Sequence, residues 1–234
     1  MTYNLKGLKL DRVAAARVVR ASRPDVLLVQ EAPRGLLGGV RLAAFARAVG
    51  LEVVAGGRAG RGAAVLLRPE LVHLVDAGAG VAIEPRWVRL RRGWPTPRGY
   101  AFVRLRDADG SPDVLTLVSV HLSALPAQRA RHLPVYAALA TSAAPGVVLG
   151  GDLNENPHGP SVRALQPPLH DADPEQAPTS PVGAPRTRLD GFLVGATVHA
   201  DGVAVPSDQD VLVGSDHRPA VLTMSWTPDE RPTG

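Results

Sequence analysis

Two short stretches of this 234-residue chain, 26–29 and 147–150, are unbroken apolar runs, and 114–120 is nearly one; each stops abruptly at polar chemistry. The groups delivered are Gln30-Glu31, His121, and Gly151-Asp152-Leu153-Asn154. Runs of four to seven residues suit strands, and continuous rather than alternating apolarity means a strand covered on both faces. Buried strands of this kind need helices or a second sheet packed over them. Each run also carries a carboxylate, amide or imidazole at its end, so the polar groups collect where the strands stop.

The rest of the chain fits that plan. Residues 2–5 read as a very short strand, and Leu10, Val13, Ala14, Val18 and Ala21 recur at helical spacing until Pro24 ends the helix. A second helix carries Leu42, Phe45, Ala46 and Val49 on one stripe and stops at Gly50. Short apolar segments at 51–54, 63–67, 87–90, 100–105 and 114–120 alternate with turns, Asp109-Gly110 among them, and predict antiparallel sheet. A helix over 128–141 contains Pro134, which predicts a kink or its true start. Residues 166–188 are rich in proline and small polar residues and predict a long irregular loop, mobile or part of a substrate rim. Closing strands are expected at 189–194, 198–205 and 220–224, with a disordered tail at 227–234. The expectation is a single domain over residues 1–226.

Composition removes several chemistries. There is no cysteine, hence no disulfide, thiolate metal site or cysteine nucleophile. No apolar run approaches the ~20 residues of a membrane-spanning helix and no signal peptide opens the chain, so a cytoplasmic monomer is expected. The net charge of +4 favours anionic partners without choosing among them, and Lys6 and Lys9 are the only lysines. Oxygen and imidazole donors scattered over strand ends suit a hard divalent cation such as Mg²⁺ or Mn²⁺ and the needs of phosphoryl transfer.

Six short motifs occur in one order: Thr2-Tyr3-Asn4-Leu5, Gln30-Glu31, Ser119-Val120-His121-Leu122-Ser123, Gly151-Asp152-Leu153-Asn154, Arg188-Leu189-Asp190 and Gly214-Ser215-Asp216-His217-Arg218-Pro219. In this order they resemble the endonuclease/exonuclease/phosphatase superfamily, over nearly the whole chain. The resemblance implies a four-layered α/β sandwich, two packed and mostly antiparallel sheets flanked by helices, with the site at one rim. It implies Glu31 as principal metal ligand, with Asn4 and Asp216 close to the same ion or its waters. Asp152 and Asn154 would orient the attacking water and the phosphate. His217 would act as general base or touch the phosphate, paired with Asp190, and His121 would stabilise or protonate the departing oxygen. The Val-His-Leu-Ser context of His121 is similar to the deoxyribonuclease and sphingomyelinase branches.

Two departures from the pattern carry expectations. Gly191 stands where many relatives have a bulky residue, which predicts a looser presentation of Asp190 or room for a larger substrate. Met1 stands only three residues before Asn4, so the first strand is expected to be clipped. Residues 86–94, with Arg89, Arg91 and two tryptophans, suit phosphate contact and base stacking as well as they suit an arginine-rich solvent face, and Arg98 is a further candidate phosphate contact. His73, His132, His158, His170 and His199 are expected to be surface, loop or structural residues. The implied activity is divalent-metal-dependent phosphate-ester hydrolysis by in-line attack of water, with DNA or RNA as leading substrate. Phospholipid or inositol-phosphate cleavage and a non-catalytic binding module are the alternatives.

Overall fold

The buried runs become central strands of two facing sheets. The computed structural model describes residues 1–84, 96–107 and 114–227. Strands β1 (Thr2–Asn4), β2 (Val26–Gln30), β3 (Glu52–Gly56) and β4 (Ala64–Leu67) form one sheet in the order β1-β2-β4-β3. Strands β5 (Val75–Ala82), β6 (Gly99–Arg106), β7 (Val114–His121), β8 (Val147–Asp152), β9 (His170–Asp171) and β10 (Asp190–Val194) form the second, in the order β5-β6-β7-β8-β10-β9. A two-stranded pair, β11 (Val198–Ala204) and β12 (Val221–Trp226), completes the strands of the described residues. Among the strands of the described residues only β1 with β2 and β7 with β8 run parallel, so the sheets are mostly antiparallel as expected.

Helices α1 (Arg12–Ser22) and α2 (Gly38–Ala48) cover the outer face of the first sheet. Between the sheets lies a core that joins Leu28 and Val65 to Leu117, Val148 and Phe192. After the short helix α3 (Pro69–Val72), α4 (Pro126–Ala143) and α5 (Pro160–Arg163) cover the outer face of the second sheet, and α6 (Gln209–Gly214) packs beside α1. Helix, sheet, sheet, helix is the four-layered order.

Several expectations shift in detail. On α1 the buried stripe is Ala14, Ala15, Val18 and Val19, while Leu10 and Val13 are exposed; Asp11 starts the helix by accepting from the N–H groups of Val13 and Ala14. It ends at Ser22 with Arg23 left-handed, because the residue before Pro24 avoids helical geometry. Pro134 lies inside α4, not at its start. β5 escaped sequence reading because it is built of Ala and Gly, and close approach explains the glycines: a Cβ on Gly80 would sit 2.5 Å from the Gly60 nitrogen. The strand expected at 87–90, the Asp109-Gly110 turn, the tail beyond Thr227, and Arg89 and Arg91 lie outside the described residues. Among the described residues no helix is long and apolar enough to cross a membrane.

Glycines also set the distance between the sheets where it matters most. A Cβ on Gly150 would lie 2.7 Å from Leu28 of the facing sheet and 2.7 Å from Phe192, both almost fully buried. A side chain there must wedge the layers apart, and overpacking of this kind costs ~1–3 kcal/mol. Gly150→Val is therefore expected to lose about 2 kcal/mol or more in chemical denaturation; an unchanged midpoint would show that the sheets do not meet at this point.

Candidate active site

Strand register places three site residues on one rung. His121 pairs with Asp152 across β7 and β8, and Asp152 pairs with Asp190 across β8 and β10. Residues level with one another on neighbouring strands share a face. Two steps back along these strands lie Ser119, Gly150 and Phe192, which face the first sheet, so the rung above them turns the same way. In the first sheet Asn4 pairs with Gln30 across β1 and β2. Gln30 donates across the gap to Ser119 Oγ at 3.1 Å, and Ser119 Oγ donates to Val29 O at 2.7 Å. The inter-sheet core thus passes from apolar to hydrogen-bonded and then to ionisable groups at one rim.

Asp152 is the hub. It is 2% exposed, and it accepts Asn4 Nδ2 from the opposite sheet at 3.1 Å and its neighbour's backbone, Asn154 N–H, at 3.0 Å. His121 Nε2 lies 3.3 Å away and His217 Nδ1 3.9 Å away. Burial works against charge on this carboxyl, but His121 first, then His217 and Asn4, outweigh it and hold the pKa down at about 2. Asn154 continues the site: its side chain donates to Leu122 O at 3.0 Å and its backbone is left-handed, φ 48°.

Behind Asp152 stands a hydrogen-bonded pair. His217 Nδ1 is 2.8 Å from Asp190 Oδ2, which also accepts Thr179 Oγ at 2.7 Å. Burial pushes the Asp190 carboxyl up and its bond from His217 only partly offsets this; burial pulls His217 the other way, yet Asp190, Asp152 and Asp216 raise it to about 9. Both directions describe one shared proton on the His217–Asp190 pair, held mainly by the imidazole. The support for Asp190 comes from the proline-rich loop. Thr179 Oγ accepts the Asp190 N–H, Gln176 donates to Asp190 O, and Arg188 ties the loop to Asp171 and Asp173. That loop is therefore a buttress. Gly191 does not loosen the presentation either, because Gln176 and Arg188 fill the space beside it.

The remaining candidates lie at the mouth. Glu31 follows β2 with φ 49°, and Lys6, Gly7 and Leu8 form a turn with φ of 48°, 69° and 52°. Left-handed backbone at residues with a Cβ is costly and collects at functional sites. Asp216 bonds Lys6 Nζ at 2.5 Å, and Ser215 Oγ donates to Asn4 O at 2.5 Å, linking the last motif to the first. Arg98 Nη1 is 3.0 Å from His121 Nδ1. A guanidinium only donates, so Arg98 makes Nδ1 the acceptor and leaves the His121 proton on Nε2, facing Asp152. Of the other histidines, His132 is buried against Glu84 at 3.0 Å and His158 is exposed in a loop. Sequence reading missed Lys6, Thr179, Gln176 and Ser215. Lys6, one of two lysines and two residues after Asn4, and Ser215, inside the last of the six motifs, carried a signal; Thr179 and Gln176 did not.

The donor set fits a hard divalent cation. One ligand atom from each of Asp152, Asp190 and His217 lies within 4.8 Å of the others, and Asp190 Oδ1 is buried without a hydrogen-bond partner, which suits an oxygen-seeking ion; Glu31 and Asp216 are not part of that cluster.

The raised pKa of His217 sets a pH window. Its folded value of about 9 exceeds the ordinary 6.5, so the pair adds stability that is full below about 6.5 and is lost as pH rises through about 9. In the metal-free protein the His217 ring protons are expected to titrate near 9 by NMR, and Asp190→Asn to move that midpoint down by at least one pH unit. A midpoint near 6.5 in both proteins would contradict the pairing.

No curated protein matches the chain, but solved structures do. An endonuclease/exonuclease/phosphatase of Bacteroides vulgatus superposes with a TM-score of 0.72 at 16% identity, covering 97% of each chain. The endonuclease domain of TRAS1, a telomere-specific non-LTR retrotransposon, gives a TM-score of 0.61 at 21% identity over 94% of each chain. A mannosyl-6-phosphatase of Bacteroides thetaiotaomicron gives 0.67 at 16% identity, covering 92% of this chain and 90% of that one. At these identities the likeness is one of fold. The profile of the Endonuclease/Exonuclease/phosphatase family matches residues 1–217, and with the six motifs gathered at one rim of that fold, the chain belongs to this family.

Proposed function

We propose that the chain hydrolyses phosphate esters with a divalent cation, Mg²⁺ or Mn²⁺, and that its leading substrate is a nucleic acid. The observation that carries the reading is the convergence of His121, Asp152 and Asp190 on one rung, with Asn4 reaching Asp152 from the other sheet and His217 locked to Asp190 at 2.8 Å. A structural role alone does not call for five ionisable or amide groups at one rim, most of them buried.

The family resemblance supplies the roles, and the contacts among Asn4, His121, Asp152, Asp190 and His217 support them. Glu31, with Asn4 and Asp216, would hold the cation. When bound, it would neutralise the non-bridging oxygens of the phosphate and make the attacking water more acidic. Asp152, ionised throughout the neutral range, and Asn154 orient that water and the phosphate. His217 has Nδ1 tied to Asp190 and Nε2 left for chemistry; its proton at neutral pH suits it to an anionic phosphate oxygen, and its partner carboxylate lets it exchange that proton. His121 is the Nε2–H donor assigned to the departing oxygen, polarised from behind by Arg98. Burial pulls the Arg98 guanidinium down in pKa, and a half-desolvated guanidinium gains from a phosphate partner.

Nucleic acid leads because the charge is positive, +4 overall, and because a long polyanion uses many guanidinium groups at once. The similarity in fold to a retrotransposon endonuclease domain is consistent with it, and phospholipid and inositol-phosphate esters are the competing substrates for the same core chemistry.

Purified protein is expected to cleave bis-p-nitrophenyl phosphate and plasmid DNA with Mg²⁺ present and to stop on addition of EDTA. His217→Ala and Asp152→Asn should each lower kcat/KM by about 100-fold or more. Robust turnover by His217→Ala would refute the assigned chemistry, and metal-stimulated binding of DNA without cleavage would indicate a binding module. In a panel of duplex DNA, single-stranded nucleic acid, sphingomyelin and inositol phosphates, preference for either of the last two would overturn the nucleic-acid assignment alone.

A further inference from the structure

Lys6 has no part in the roles above, yet it sits among the groups assigned to the cation. Its ammonium lies 2.5 Å from Asp216 Oδ2. Glu31 and Asp152 also favour its charge, after the direct bond to Asp216. The backbone that delivers it is a run of three left-handed residues, 6–8, two of which bear a Cβ. Such a turn persists only when its surroundings fix it. Here Lys6 N–H donates to Asn4 Oδ1 at 3.0 Å, Gly7 N–H to Glu31 O at 2.7 Å, and Arg41 to the carbonyls of Gly7 and Leu8 at 3.2 and 3.1 Å. The turn is therefore built from Asn4 and Glu31 themselves, and it sets a cation beside them.

The residue type matters too. The chain uses arginine for nearly all its positive charge, and Lys9, its other lysine, is exposed on the surface. A guanidinium grips a carboxylate with a fork of two donors, whereas an ammonium on a flexible stem is a point charge that can let go. With both partners about 40% exposed, 43% for Lys6 and 40% for Asp216, water is at hand to receive the released ammonium.

We propose that Lys6 is a tethered cation that competes with the divalent ion for Asp216. In the metal-free protein it screens the carboxylates from one another, and when the ion enters it withdraws, so the ion is held more weakly than the carboxylates alone would hold it. The inference rests on the cation assignment made above.

Calorimetric titration with Mn²⁺ tests it without reference to turnover. Lys6→Met is expected to bind Mn²⁺ about tenfold more tightly than wild type, and Lys6→Arg, which keeps the charge, no more tightly. Equal affinity of wild type and Lys6→Met, or equal tightening in both variants, overturns the proposal. If neither wild type nor Lys6→Met binds Mn²⁺, the cation assignment falls and this inference with it. A second readout uses the unaltered chain: with ¹³Cε-labelled lysine, only two lysine signals exist, and Lys9→Arg assigns them. Saturating Mg²⁺ is expected to shift the Lys6 signal and leave that of Lys9 in place; a stationary Lys6 signal in protein that binds Mg²⁺ overturns the proposal independently of any Lys6 variant.

Discussion

A carboxylate almost wholly withdrawn from water carries a penalty of several kcal/mol unless its surroundings replace the lost solvent. Asp152 keeps its charge because both sheets contribute to replacing it: an amide from Asn4 on one side, imidazoles and a backbone N–H on the other. That exchange works only if the layers close to within hydrogen-bonding reach at the rim. The small residues at the ends of β8 permit this. Gly150 lets Leu28 and Phe192 fill the space beneath the site, and a Cβ on Gly151 would meet Val120 O at 2.0 Å. Sheet separation, core packing and carboxylate ionisation are thus one problem solved in one place.

From that buried hub the site grows outward to the solvent-facing rim. Asp190, 1% exposed, is backed by Thr179 and Gln176 and carries His217. Beyond them Glu31, Lys6 and Asp216 ring the mouth on strained or half-exposed backbone. Rigid elements hold the groups that must be placed accurately, and the loops that leave them hold the groups that meet solvent and substrate. The arrangement also separates what the fold specifies, handling of a phosphate, from what the rim chooses, the group attached to it.

Much of this was legible in the residues. Strands read as buried runs proved to be β2, β7 and β8; pairing brings the ends of β7, β8 and β10 into register, and the packing of the two sheets sets the end of β2 opposite them. The resemblance carried by the six motifs supplied one distant pair, Asp190 with His217, whereas the bond of Asn4 to Asp152 came only with the fold. What escaped depends on tertiary context. Thr179 looks like any threonine in a proline-rich segment until the loop folds behind Asp190. Leu10 and Val13 fit a helical stripe by spacing yet are exposed, while the sheet keeps the expected Ala14 and Val18 and adds Ala15 and Val19. β5 has branched side chains only at Val75 and Val81, and the alanines and glycines between them, with Gly80 facing another backbone, hide the strand. The bond between Arg98 and His121 joins the residue just before β6 to the end of β7, and no local pattern announces it.

The central claim is that distant strand ends from both sheets surround a single cation-binding point. Anomalous diffraction from crystals soaked in Mn²⁺, collected at the manganese edge, locates that point without any assumption about activity. The expected result is a manganese peak at the rim, within coordinating distance of Glu31 and bordered by Asn4 and Asp152. A peak confined to another surface, or none at this rim at a saturating Mn²⁺ concentration, would contradict it.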